Sequence, residues 1–243
     1  VIVSEPDLHA LWQVTSVHVN QDSERTAHYG PNDPRLKGRF FSLSNEKIDS
    51  DLPGLTNCTQ PTVQIKKSSL DNWISSATGS ESAVTSKSYR LLENGSSEIK
   101  NITLVCKSGS FNGGSSGTNE NATLAYVTDK KIYINWGDFT VLELAPVSKN
   151  EIKPSFNCSR AVQQSEKAIC SNYKLASFDE SLAQLWKIES AEARDINDPD
   201  IIQKLKTTQM QWVKQSNLCG DDAGCLANSM NKRMDEIIAL VGD

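Results

Sequence analysis

The apolar residues of this chain change their spacing near residue 150, and two periods of that kind require two different architectures. Before that point they come in short β-branched or aromatic runs. After it they recur at steps of three and four. The first half offers strands over residues 11–19, 38–44, 62–66, 88–92, 101–106, 123–127, 131–135 and 139–144. Strict alternation along the first would place Val14, Ser16 and His18 on one face and Thr15, Val17 and Val19 on the other. Turn clusters such as Gly30-Pro31-Asn32-Asp33-Pro34 and Leu52-Pro53-Gly54 punctuate the gaps. Two polar stretches, 75–87 and 107–121 with its Gly-Gly-Ser-Ser-Gly run at 113–117, read as mobile loops. About eight strands at this spacing predict an all-β domain over 1–150, an antiparallel barrel or sandwich.

The second half, 151–243, reads as a small α-helical bundle. Leu175, Phe178, Leu182, Leu185 and Trp186 form one apolar stripe. Asp198-Pro199 is a helix start, with Asp as the cap and Pro in the first turn, where its missing N–H is harmless. Ile201, Leu205, Thr208 and Trp212 continue the pattern on the next helix. Leu226, Met230, Met234, Ile237 and Leu240 give the last one, with Asp221 and Asp222 before its positive N-terminus. A shorter helix is expected around 163–170.

A bundle this small has little core, and cross-links help it. The chain holds six cysteines and no Cys-x-x-Cys pair, which favours three disulfides over a zinc or redox site. Short-loop pairing would join Cys158 to Cys170 and Cys219 to Cys225, leaving Cys58 and Cys106 for the β domain. Six cysteines allow other connectivities, and spacing does not choose among them. Disulfides persist outside the cytosol, so the expected home is the periplasm or the outer cell envelope. A chain that opens on Val1 with no signal peptide reads as a processed form, with any lipid-anchoring cysteine upstream.

Composition removes several function classes. With 25 basic and 30 acidic residues the net charge is −5, and no basic stripe interleaved with aromatics exists to bind nucleic acid. No apolar run approaches the roughly 18 residues of a membrane span. The three histidines, His9, His18 and His28, cluster near the first strand, where His18 and His28 could meet across a hairpin. No nucleophile elbow, His-Glu-x-x-His or phosphate-cradling glycine loop occurs. The sequence therefore predicts no enzyme, no metal and no cofactor.

Residues 155–240 resemble a known family. Phe156-Asn157-Cys158-Ser159-Arg160-Ala161, then Glu166-Lys167-Ala168-Ile169-Cys170, Leu175 and Asp179-Glu180-Ser181-Leu182 are similar to the opening of the LprI-like domain. Gln209 and Trp212, Cys219 and Cys225-Leu226 continue the pattern. Two positions depart from it: Asn157 replaces the usual Asp, and Ser216 stands where an Arg is expected before the third cysteine. The family is named for a mycobacterial lipoprotein that inhibits lysozyme. The resemblance implies a disulfide-pinned helical domain and a protein partner in the envelope. The first 150 residues fall outside it.

One charge feature fits such a partner. From Asp179 to Asp200 there are seven acids against two bases, and the candidate contacts are Glu189, Glu192, Asp195, Asp198 and Asp200. An acidic patch steers a basic peptidoglycan hydrolase or a periplasm-acting toxin and raises its on-rate. The expected function is therefore inhibition of an envelope-directed hydrolase, as a lysozyme inhibitor or as an immunity protein neutralising an injected toxin. The alternative is a carrier that holds a small apolar ligand inside the β domain, as closed barrels can.

Overall fold

The computed structural model describes residues 6–78, 84–114 and 120–242. The chain forms two compact units, Val1–Val147 and Ser148–Asp243.

The first unit is built on one antiparallel sheet. Its strands are β1 (Trp12–His18), β2 (Phe40–Leu43), β3 (Ile48–Ser50), β5 (Thr62–Ser69), β6 (Glu98–Val105), β8 (Thr123–Thr128), β9 (Lys131–Trp136) and β10 (Thr140–Pro146). They lie in the order β3-β2-β1-β10-β9-β8-β6-β5, an eight-stranded curled sheet. Two short strands, β4 (Leu55–Thr56) and β7 (Phe111–Asn112), pair separately. The central strands bury both faces of the sheet, whereas the edge strand β5 is largely exposed. Alternation sends Ile132, Ile134 and Trp136 of β9 to one side and Tyr133 to the other. On the first side Trp12, Phe41, Leu124, Leu142 and Leu144 join them, and Phe111 packs 5.3 Å from Phe41 and 4.9 Å from Trp136. Cys58, fully buried here, is disulfide-bonded to Cys106.

The other side is covered by a helix, α1 (Leu70–Thr78), which follows β5 without a loop. Leu70, Trp73 and Ile74 press onto Ile99, Ala125, Tyr133 and Val141. The Ser69 hydroxyl accepts the Asn72 amide, and the Trp73 indole N–H donates to Thr123 Oγ1 at 3.0 Å. This helix corrects the reading of 75–87 as loop over residues 75–78, while 84–87 are irregular or turn as expected. Only four apolar positions mark it, Leu70, Trp73, Ile74 and Ala77, and the polar Ser75-Ser76 pair hides its period. Residues 79–83 of that stretch lie outside the described residues. The 107–121 stretch is likewise not all loop: Thr59 and Ser108 bridge, and β7 forms within it, while 115–119 lie outside the described residues.

Two further differences are instructive. The register of β1 slips between Val14, opposite Leu144, and Ser16, opposite Glu143, so Thr15 is a bulge. The extra residue lets Val14 and Val17 share the same core, which strict alternation forbids. Residues 88–92 form no strand; they belong to a turn that buries Tyr89.

The second unit holds α2 (Gln164–Ser171), α3 (Tyr173–Ile196), α4 (Pro199–Asn217) and α5 (Ala223–Val241). Leu175, Phe178, Leu182, Leu185, Leu205, Met230, Met234 and Ile237 share its core. Each long helix has a side-chain cap. Asn172 accepts the Lys174 and Leu175 amides, Asp198 those of Asp200 and Ile201, and Asp222 that of Cys225. Disulfides join Cys158 to Cys170 and Cys219 to Cys225.

Arg233 of α5 is nearly fully buried and ties α5 to α4. Its Nε donates to Gln209 Oε1 at 2.8 Å and its Nη2 to Thr208 Oγ1 at 3.1 Å, while Nη1 pairs with Glu236. Burial lowers its pKa and Glu236 pulls the other way.

Replacing Cys158 and Cys170, or Cys219 and Cys225, by serine is expected to lower unfolding free energy by roughly 2–3 kcal/mol per bridge, given loops this short. Urea melts of the full chain followed by the helical signal measure it.

Candidate functional site

Four of the five acids singled out in the sequence, Glu192, Asp195, Asp198 and Asp200, flank the corner between α3 and α4. Glu192 and Asp195 are exposed near the end of α3, and Asp200 is exposed in the first turn of α4. Asn197 turns the corner in the left-handed region at φ 58°, its N–H bonded to the Ala193 and Arg194 carbonyls. Asp198 stands at the same corner, but its carboxylate is engaged as the α4 cap, accepting from Asp200 N at 2.9 Å. Glu189 lies farther back on α3 and is half-buried. Asp179, at the head of the acidic run, does not join them. It accepts from the amide and hydroxyl of Ser155 at 2.7 and 2.6 Å, and burial pushes its carboxyl up against those bonds. Its work is to moor the entering chain to α3.

Most of the residues that carry the family resemblance have comparable structural work. Glu166 accepts the Val162 and Gln163 amides, which holds its carboxyl below the ordinary range and caps α2. Gln209 receives Arg233, and the Trp212 indole donates to Ser229 Oγ at 3.0 Å. Asn157 accepts from Ser159 N and Oγ, a role its side-chain oxygen shares with the Asp it replaces.

In the first unit the histidines separate. His18 Nε2 lies 3.3 Å from Glu143 Oε1, whereas His28 packs edge-on against Tyr29 at 4.6 Å. His18 belongs to a polar row with Glu143, Tyr133, Glu93 and Lys131. The Tyr133 hydroxyl donates to Glu93 Oε2 at 2.5 Å and Lys131 Nζ to Glu93 Oε1 at 2.8 Å. The His18 bond holds the Glu143 carboxyl low against burial. Burial would raise Glu93, but Lys131 and Tyr133 outweigh it, while burial and Glu93 push the Tyr133 phenol up. Both carboxylates stay ionised and the phenol stays neutral, so the row fastens β1, β9 and β10 to the segment before β6.

A second constellation was not visible in the sequence. Asp138 and Phe139, in the β9–β10 connection, both take positive φ, 59° and 57°. Such backbone is held only where its surroundings over-determine it. Here the Asp138 carboxylate accepts from the Arg25 guanidinium and from the His28 amide. The Tyr89 hydroxyl donates to the Phe139 carbonyl at 2.7 Å, and Thr140 Oγ1 to the Gly137 carbonyl at 2.8 Å. Gly137 must be glycine, because a Cβ there would come within 2.7 Å of the Gly113 carbonyl oxygen. Burial pushes the Tyr89 phenol up to about 12, against the Thr78 bond and the Arg25 charge. Beside this turn opens a cleft of about 210 Å³ lined by Val19, Asn20, Ser23, Arg25, Ala27, Thr78, Val84, Tyr89, Asp138 and Phe139. The one sequence signal for it is Gly137-Asp138 between two strand patterns, a turn cue that does not announce the pairing with Arg25.

Among the described residues no group of three or more His, Cys, Asp or Glu is placed to hold a metal ion. No helix among them is long and apolar enough to cross a membrane. Compared with family models, curated proteins and solved structures, the chain matches none.

Burial alone would raise the Asp138 carboxyl, but the His28 amide and then Arg25 outweigh it and hold it below its ordinary value. A depressed carboxyl stabilises the fold above the ordinary range and loses that contribution as pH falls through the folded-state pKa. Protection of the His28 amide, its exchange relative to an unfolded peptide at the same pH, is therefore expected to fall as pH drops below the ordinary carboxylate range. Asp138→Ala should remove the same protection at neutral pH and cost about 1–2 kcal/mol, since Arg25 is half exposed.

Proposed function

We propose that the protein is a non-catalytic binding protein of the bacterial periplasm or outer envelope that inhibits an envelope-directed hydrolase. Its partner is a basic peptidoglycan hydrolase, met either as a lysozyme or as a toxin that the protein neutralises as an immunity factor. The observation that carries the reading is the helical frame of the second unit. The cysteines of the LprI-like pattern pair Cys158 with Cys170 and Cys219 with Cys225 around it, and Glu166, Gln209 and Trp212 hold it. That frame supports the resemblance, and three disulfides suit an oxidising compartment. The exposed acids at the α3–α4 corner supply complementarity to a basic enzyme. The hydrogen bonds of Asn197 and the Asp198 cap hold the backbone of the corner, which would limit the ordering cost of binding. The carrier reading finds less support, because aromatic side chains fill the face of the sheet that a barrel ligand would occupy.

The test is a titration of the oxidised protein into a lysozyme cell-wall clearing assay at low and moderate salt. Stoichiometric loss of clearing is expected, with association slowed about tenfold by Glu192→Lys, Asp195→Lys and Asp200→Lys together at low salt. Undiminished clearing at large excess eliminates the lysozyme form, and capture of a toxin on the immobilised protein then decides the immunity form.

A further inference from the structure

The cleft beside Phe139 sets an exposed aromatic ring among amide and hydroxyl side chains. Phe139 is 53% exposed although it is a large aromatic side chain, and its backbone lies in the left-handed region. Strain of this kind concentrates at functional sites. Arg25 covers one side of the ring, its guanidinium carbon 5.2 Å from the centroid. Val19, Ala27 and Val84 add further apolar surface to the cleft, and Asn20, Ser23, Thr78 and Tyr89 give it a polar lining.

We propose that this cleft is a saccharide subsite that takes one neutral sugar ring. Three properties select that class. First, an exposed aromatic ring beside amide and hydroxyl groups matches a ring with an apolar face and a hydroxyl edge. Second, hydrogen-bonding capacity remains: Asn20 Oδ1 accepts the Asp22 amide, leaving its NH2 group to donate, and Ser23 Oγ accepts the Arg25 amide, leaving its proton. Third, Arg25 and Asp138 neutralise one another, so the site asks for no net charge on its ligand. At about 210 Å³ the cleft falls below the roughly 300–1,000 Å³ of larger ligand sites, which suits one ring of a longer glycan.

The proposal stands apart from hydrolase inhibition and is tested on the full chain alone. Oligomers of N-acetylglucosamine, cellotetraose and maltotetraose are titrated separately while backbone amide shifts are followed by NMR. Saturable shifts centred on Asn20, Arg25, Asp138 and Phe139 are expected for at least one sugar, with a dissociation constant on the order of 1 mM. Phe139→Ala should weaken that binding about tenfold with an unchanged melting temperature, because the removed ring is half exposed. Asn20→Ala, which leaves the strained turn intact, should weaken it as well. Flat titrations with all three sugars overturn the proposal, as do shifts confined to another surface or a Phe139→Ala protein that binds equally well. Flat titrations joined to weaker hydrolase inhibition by Phe139→Ala would assign the ring to a protein partner instead, which also overturns it.

Discussion

Burying both faces of a single antiparallel sheet is the constraint on which the first unit depends. A sheet whose strands alternate between two apolar sides needs two covers. On one side the aromatic cluster of Trp12, Phe41, Phe111 and Trp136 provides it. On the other, α1 and the turn carrying Tyr89 do so, meeting at Tyr133. The strained β9–β10 connection follows from the second cover. Once Tyr89 is buried beside Val141, its hydroxyl needs an acceptor, and the Phe139 carbonyl is that acceptor.

The helical unit solves a different problem with different means. Its core has too few residues to rely on packing alone, so disulfides, three helix caps and the buried Arg233 supplement it. The two bridges restrain the unfolded chain, while the caps satisfy helix-end amides that water would otherwise claim. This division explains why the residues behind the family resemblance are mostly fasteners. A pattern of Glu166, Gln209, Trp212 and four cysteines specifies a frame, and a frame leaves the choice of partner to its surface. The exposed acids at the α3–α4 corner are one charged part of that surface.

Local sequence determined much of this protein. The change of period at residue 150, the helix start at Asp198-Pro199 and the stripes of α3 to α5 are properties of neighbours along the chain, which is why they could be read directly. Most of the long strands were legible for the same reason. The bulge at Thr15 was not, because it depends on the pairing of β1 with β10 more than a hundred residues away. The helix α1 escaped because nine residues with four apolar positions acquire a face only when a sheet lies beneath them. Only the tertiary structure decided that His18 belongs with Glu143, that Asp179 turns inward while Glu192 and Asp195 stay exposed, and that Arg25 meets Asp138 across 113 residues. Charge and periodicity travel with the sequence, but a site made by long-range hydrogen bonds exists only after the strands that carry it have paired.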